Sequence, residues 1–343
     1  MISSAATAPG GARCLIAVPT LNEARHIALL LEHLLVEAEA MDGSIVVIDG
    51  GSTDGTQDIA GRYAAEHERI TLIHNPKRIQ SAAMNLAVEQ FGDGADYVIR
   101  IDAHGKYPPD YCRALVREAR EIGADCVVVP MLTVGENTFQ RAVATAQNSL
   151  VGTGGSAHRN GTGGRMVDHG HHALMSIPAY RAIGGYDESF RHNEDAEMDY
   201  RFTQAGYRIW LTNATVMTYY PRSTPSGLFK QYFGYGGGRA RNVLKHRMVP
   251  RIRQLVPLAI LPAVVLAALS FVHWSALVPL VAWCVACLAL GLVATGRHVQ
   301  DYGLPVSRAP LVGVAAMIMH LAWSSGFWLH LARNVTGPRK AGV

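Results

Sequence analysis

Three short acidic segments could carry chemistry. Asp102-Ala103-His104 closes an apolar run, Tyr97–Asp102, and two side chains two positions apart at a strand end share a face. A carboxylate and an imidazole there can hold one divalent cation, the imidazole suiting Mn2+ better than Mg2+, and such a cation can carry the charge of a departing diphosphate. In Asp49-Gly50-Gly51-Ser52-Thr53-Asp54-Gly55-Thr56, paired glycines let the backbone approach a flat ligand. Asp49 can then accept a hydrogen bond from a nucleobase imide, although a plain turn capped by Ser52 or Thr53 reads equally well. The segment is not G-x-G-x-x-G, which disfavours a nicotinamide cofactor. Asn193-Glu194-Asp195-Ala196-Glu197 crowds three acids into four positions. Either one of them is a general base for an attacking hydroxyl, or all sit favourably at a helix N-terminus.

The elements that must position these residues alternate. Cys14–Pro19, Ser44–Asp49, Ile70–His74, Tyr97–Asp102 and Asp125–Met131 are short apolar runs that read as buried strands. Between them, Asn22 can cap a helix carrying Ile27, Leu30, Leu31, Leu34 and Leu35, further helices follow Thr53, and Ser81–Gln90 and Pro109–Ile122 are helical. This alternation predicts a mainly parallel sheet with helices on both faces. Ligands bind beyond the carboxyl ends of such strands, so Pro19–Glu23, Asp49–Asp54, His74–Arg78 and Asp102–His104 should share one rim. Gly152–Gly164 reads as a Gly-rich loop; Tyr180–Tyr186 and Asp195–Gly206 read as short helices, Arg208–Leu211 and Val216–Tyr220 as strands.

The 343 residues are 49% hydrophobic and only 17% charged, where a soluble chain carries about a quarter charged residues. Up to about Arg253 the chain reads as an ordinary soluble protein; from Gln254 onward Leu, Val and Ala dominate. The predicted organisation is a lead-in at 1–12, a soluble domain at 13–250, a membrane region at 251–335 and a tail at 336–343. The membrane region holds apolar spans at 255–272, 276–295 and 309–331, each approaching the roughly 20 residues that cross hydrocarbon. Three in succession argue against core helices of a soluble domain. Arg297–Arg308 carries two Arg and His273–Ser275 none, which places the soluble domain on the cytoplasmic side of an inner membrane. An odd number of spans would leave Arg333, Arg339 and Lys340 outside, so either that signal is weak or one span is re-entrant or interfacial. The net charge of +4, with cations clustered between Lys230 and Arg253, fits anionic lipid headgroups, and no motif supports nucleic acid. Cys14, Cys112, Cys126, Cys284 and Cys287 form no disulfide framework, which fits a reducing compartment, and the N-terminus lacks the features of a secretory signal.

Taken jointly, Val18-Pro19-Thr20-Leu21-Asn22-Glu23, Asp49–Thr56, Asp102-Ala103-His104 and Asn193-Glu194-Asp195 resemble the inverting family 2 glycosyltransferases over roughly Leu15 to Lys245. Arg100–His104, Tyr107-Pro108, Gly152–Ser156 and Asn193–Asp195 look closest to the succinoglycan-type exopolysaccharide glucosyltransferases. The resemblance implies a GT-A nucleotide-binding fold, a UDP-hexose donor and a polyprenyl-diphosphate-linked glycan acceptor. It implies that Pro19, Asn22, Glu23 and Asp49 edge the nucleotide, with Arg78 and Asn85 toward the uridine and diphosphate. Asp102 with His104 would hold Mg2+ or Mn2+, and Asp195 would be the catalytic base beside Glu194. Gly154, Gly155, Gln231 and Arg239 fall on the acceptor or diphosphate side. Gln231-Tyr232-Phe233-Gly234-Tyr235 departs from the Gln-x-x-Arg-Trp of processive synthases, which favours single-sugar addition over polymerisation. Transfer to bare polyprenyl phosphate, a processive synthase and a chemically inert nucleotide-sugar-binding scaffold are the alternatives. Intact Asp49, Asp102 and Asp195 argue against the scaffold.

Overall fold

The computed structural model describes residues 12–154, 163–250 and 252–336. In chain order come β1 (Cys14–Thr20), α1 (Ile27–Ala40), β2 (Ser44–Asp49), α2 (Thr56–Glu66), β3 (Ile70–His74), α3 (Gln80–Phe91), β4 (Tyr97–Arg100) and α4 (Tyr111–Ile122). Then follow β5 (Cys126–Val129), β6 (Met131–Thr133), α5 (Thr138–Gln147), α6 (Leu150–Thr153), β7 (Arg165–Val167), β8 (His171–Ser176) and α7 (Ile177–Ala182). Next are α8 (Glu194–Gln204), β9 (Ile209–Leu211), β10 (Met217–Tyr219), α9 (Pro225–His246), α10 (Ile252–Ala267), α11 (Val278–Tyr302) and α12 (Ala309–Thr336). The chain divides into two compact units: Met1–Val129 with Gly163–Ser189 and Met198–Met217, and Pro130–Thr162 with Phe190–Glu197 and Thr218–Val343.

The first unit is built on one eight-stranded sheet of order β3-β2-β1-β4-β8-β5-β9-β7. Strands β1 to β4 pair in parallel, β8 inserts antiparallel between β4 and β5, and β9 returns to the parallel direction. This GT-A-like, mainly parallel arrangement follows from the apolar runs: Leu15, Ile16, Val18, Ile45, Val47 and Ile99 are all fully buried. Pro130 removes the donor that would continue β5, so the run read as Asp125–Met131 splits into β5 and β6. The parallel register Thr20↔Asp49 and Asp49↔His74 brings the carboxyl ends of β1, β2 and β3 to one edge. β4 ends at Arg100, and the Ile101 N–H still donates to the Ala17 carbonyl at 2.9 Å, which carries Asp102 to the same edge.

In the second unit, α9 and α12 approach backbone to backbone. A Cβ on Gly236 would overlap the Trp323 carbonyl, and one on Gly326 the Phe233 carbonyl. Gly291 of α11 and Gly313 of α12 form a similar close crossing. Pro262 cannot donate to the Leu258 carbonyl inside α10, and α12 replaces the missing partner with Trp328 Nε1 at 2.8 Å and Ser324 Oγ at 3.3 Å. α5 begins with a capping box in which Asn137 accepts from Gln140 N and Gln140 accepts from Asn137 N. Among the described residues, two stretches are long and apolar enough to cross a membrane: Trp274–Arg297, whose most apolar 18 residues have mean hydropathy 2.5, and Val306–Asn334, where the figure is 1.4. The run read as 255–272 is helical only to Ala267, and 16 residues reach about 24 Å, short of a bilayer's roughly 30 Å of hydrocarbon. Gly326→Val should destabilise this unit by about 3 kcal/mol, because the added side chain enters a main-chain contact. Thermal unfolding in lipid nanodiscs reads it, and an unchanged midpoint would show that the crossing tolerates bulk.

Candidate active site

On the rim of the first unit, the loop after β1 and the loop after β2 are stitched together. Asn22 N–H donates to Ser52 Oγ at 2.8 Å, Thr53 N–H to Asn22 Oδ1 at 2.9 Å, and Glu23 N–H to Thr56 Oγ1 at 2.8 Å. Asn22 therefore does not cap α1 as expected; it adopts φ 60° and its amide joins the two loops, while His26 precedes the helix without a side-chain cap. Pro19, half-buried between buried Val18 and Thr20, lies opposite Ile48. Arg78, at φ 57°, is exposed and lays its guanidinium across Gly51, with Nη2 3.4 Å from the Gly51 carbonyl.

Two expected donor ligands already have partners within the protein. Asp49 is 2% exposed, and its Oδ1 accepts from Gly51 N, Ser52 N and Gln57 Nε2, each at 2.8 Å. Its Oδ2 accepts from Ser52 Oγ at 2.5 Å and Thr20 Oγ1 at 3.4 Å, which uses the lone pairs that a base would need. Asp49 in this way shapes the Gly-rich loop. Asn85 is equally saturated: Oδ1 accepts from Tyr186 N at 2.9 Å and Tyr180 OH at 2.6 Å, and Nδ2 donates to Tyr186 O and Glu188 Oε1, both at 2.9 Å. It clamps the Gly184-Gly185-Tyr186 turn.

Asp102 carries the strongest field on this rim. Its Oδ1 accepts from Gln80 Nε2 at 2.8 Å and lies 3.5 Å from Arg100 Nε, while Oδ2 lies 3.4 Å from His171 Nε2. Burial would raise its carboxyl, but the Arg100 guanidinium and His171 outweigh burial and hold it far below the usual carboxylate range. His104, 50% exposed, is turned to Glu23, its Nδ1 3.0 Å from Oε1, and His26 Nδ1 is 3.0 Å from Glu23 Oε2. Burial raises the Glu23 carboxyl, and the hydrogen bonds from His104 and His26 bring it below its ordinary value. Asp102 and the His104–Glu23 pair are of the residue types that a divalent cation takes, whereas the close three-ligand group found among the described residues is Cys126, His172 and Asp199.

The acids of the second segment belong to the first turn of α8. Glu194 and Asp195 are half-buried there, where the helix dipole favours their charge. Glu197 is different: it is fully buried and pairs with Lys245 Nζ at 2.5 Å and His246 Nε2 at 3.0 Å of α9. Asn193, at φ 61°, donates from Nδ2 to the Tyr235 carbonyl of α9 at 2.7 Å. Gly234 and Gly238 make room for this segment, since a Cβ at either would collide with His192. The glycine that breaks the Gln-x-x-Arg-Trp pattern is thus a packing requirement. Gln231 donates to Tyr219 OH at 2.9 Å, Arg239 is half-buried on α9, and Gly154 closes α6 at φ 58°. Gly155 lies outside the described residues.

The profile of Glycosyl transferase family 2 matches residues 15–184. Over 318 residues the chain is 56% identical to the succinoglycan biosynthesis protein ExoA of Rhizobium meliloti, covering 92% of this chain and 94% of that protein. This chain belongs to glycosyltransferase family 2. The family 2 chain is also 30% identical, over 118 residues, to an undecaprenyl-phosphate mannosyltransferase of Micrococcus luteus, covering 34% of this chain and 47% of that protein. Among solved structures it shares its fold with a mannosyltransferase of Pyrobaculum calidifontis in complex with GDP-Man and Mn2+. The TM-score is 0.54 at 20% identity, covering 92% of this chain and 87% of the other.

For this family 2 glycosyltransferase, sequence reasoning missed Gln80, His171 and the role of Arg100 at Asp102. Only Arg100 left a signal: it precedes Asp102 by two, the strand spacing that puts both on one face. The pairing of Glu197 separates it from its neighbours. Glu197→Gln should cost about 2 kcal/mol of stability, less than a fully buried pair because Lys245 is 37% exposed, with turnover at low temperature retained. Melting and rate measured on one preparation check it; a large rate loss without destabilisation would return Glu197 to the list of bases.

Proposed function

We propose that this enzyme transfers glucose from UDP-glucose, with inversion, onto a polyprenyl-diphosphate-linked sugar in exopolysaccharide synthesis at the cytoplasmic face of the inner membrane. The identity to a succinoglycan biosynthesis protein along nearly the whole of both chains carries this reading, and two apolar stretches able to cross a bilayer agree with a lipid-borne acceptor. Asp102 and His104 would hold Mg2+ or Mn2+, with Glu23 beside His104. A bound divalent cation would supply charge neutralisation for the leaving diphosphate.

The chain's own groups do the rest. Pro19, Asn22 and Arg78 border the nucleotide, Arg78 offering its guanidinium over the bare Gly51 backbone. Asp195 takes the proton of the acceptor hydroxyl as its oxygen attacks the anomeric carbon. The bond from that carbon to the diphosphate oxygen breaks, and its electron pair leaves with the nucleoside diphosphate. One displacement of this kind inverts the centre. Gly154, Gln231 and Arg239 are assigned to the acceptor or diphosphate side.

The test is membranes containing the enzyme, incubated with a panel of nucleotide sugars and either polyprenyl-diphosphate-linked sugar or bare polyprenyl phosphate. Label should pass from UDP-glucose only to the lipid-linked sugar, adding one residue. Label on bare polyprenyl phosphate would overturn this acceptor in favour of the chemistry named for the Micrococcus luteus relative. A ladder of products would mean a processive synthase.

A further inference from the structure

A hydrogen-bonded chain runs through the first unit behind Asp102, and the transfer chemistry above does not use it. Asp199 of α8, 1% exposed, accepts from His172 Nε2 and His169 Nδ1, each at 2.7 Å, and from Gly170 N at 3.3 Å. Burial raises its carboxyl, but His172 and His169 outweigh burial and hold it below its ordinary value, so it is an ionised acceptor. That fixes the direction of the link to His172. A carboxylate cannot donate, so His172 Nε2 carries the proton of that bond, and the other ring nitrogen, Nδ1, lies 2.6 Å from the Tyr186 hydroxyl. The Tyr186 oxygen then accepts from Arg100 Nη1 at 3.2 Å. Arg100, 3% exposed, places Nη2 3.1 Å from His171 Nδ1 and Nε 3.5 Å from Asp102 Oδ1.

Another reading of the same place has to be weighed. Cys126, His172 and Asp199 bring a thiol, an imidazole and a carboxylate within 4.8 Å, all buried, as a cation site would. A cation between His172 and Asp199 would replace their direct hydrogen bond, and both nitrogens of the imidazole already have partners, Asp199 and Tyr186. A buried guanidinium is also costly to hold without fixed partners, and the Tyr186 hydroxyl at the end of this chain is one of them.

We propose that Tyr186, His172 and Asp199 are positioning residues for donor binding: they pin the Arg100 guanidinium to one edge of Asp102, so that the carboxylate keeps its remaining lone pairs on the open rim. This rests on the reading of Asp102 as a donor-side ligand. Outer-shell partners of this kind change ligand affinity by about 10- to 100-fold when removed.

The test uses the full chain in nanodiscs, with UDP and Mn2+ as probes in calorimetry, the KM and kcat for UDP-glucose, and thermal unfolding. Tyr186→Phe keeps the ring and deletes one hydroxyl. It should weaken Mn2+-dependent UDP binding by about 10-fold or more and raise KM more than it lowers kcat. On an Asp102→Asn background the same change should have no further effect on UDP binding. His172→Gln, able to donate to Asp199 and accept from Tyr186, should retain most of the affinity that His172→Leu loses; this pair decides the matter if Tyr186→Phe does not fold. A lower melting point with unchanged UDP affinity, or additive effects in the double variant, would overturn the proposal. So would stoichiometric bound zinc in the purified protein. If Asp102→Asn binds UDP with Mn2+ as the wild type does, the donor-side reading itself fails and takes the positioning role with it. If Asp102→Asn loses binding but Tyr186→Phe does not, only the positioning role fails.

Discussion

Asp195→Asn is expected to lower turnover by about 10²- to 10⁴-fold while UDP-glucose still binds. The substitution keeps shape and hydrogen bonding but removes the carboxylate proposed to take the acceptor's proton. Its neighbours cannot replace it easily. Glu194 is one position away on the helix and projects in a different direction, and Glu197 is buried in its pair with Lys245 and His246. The stability of α8 should change little, because the first-turn carboxylate contributes only about 0.3–1 kcal/mol through the dipole. Product formation and UDP binding measured on the same protein check the split. Full activity would remove Asp195 from the mechanism, and lost donor binding would make it a binding group.

Asp102→Asn should act earlier, on donor binding, and should cost stability as well. Neutralising this carboxylate leaves Arg100, 3% exposed, facing a group without charge, at a cost of about 3 kcal/mol. Adding a chelator should weaken UDP binding by the wild type and leave the variant unaffected. Nucleotide titrations with Mn2+, with Mg2+ and with excess chelator read this directly. A chelator effect equal in both proteins would place the cation elsewhere. His104→Ala should be milder, because His104 is half-exposed, and should shift the preference from Mn2+ toward Mg2+.

The parts of the fold that could be read in advance are those where one physical signal dominates. β1, β2 and β3 are unbroken apolar runs, and the parallel sheet buries both of their faces. β8 escaped because it opens with His171 and His172, and only tertiary partners, Asp102 and Asp199, make those imidazoles tolerable inside. α9 escaped because four glycines between Gly234 and Gly238 lower helix propensity, and packing against α12 and His192 overrides that cost. At the site, the type and order of the acids were visible, but their partners were not. Asp49 and Asn85 have the right chemistry for a ligand and are consumed by neighbours that only the fold supplies. Asp102 is placed at the rim by the strand it follows, whereas its ionisation depends on Arg100 and on His171, 69 positions later in the chain.

The glycines of α9 have a mechanical meaning. Ordinary helix contacts carry slack, since side chains change rotamer and absorb small displacements before the backbones feel them. Gly236 meets the main chain of α12, and elsewhere on α9 Gly234 meets the His192 ring and Gly238 the His192 carbonyl, with no side chain of α9 in between to yield. α9 is therefore a stiff spacer between a helix apolar enough to cross a bilayer and the residues that lead directly into Glu194 and Asp195. A tilt or slide of α12 has little cushion to spend itself in, so on the proposed membrane placement the thickness and lateral pressure of the lipid would bear on the segment that carries Asp195.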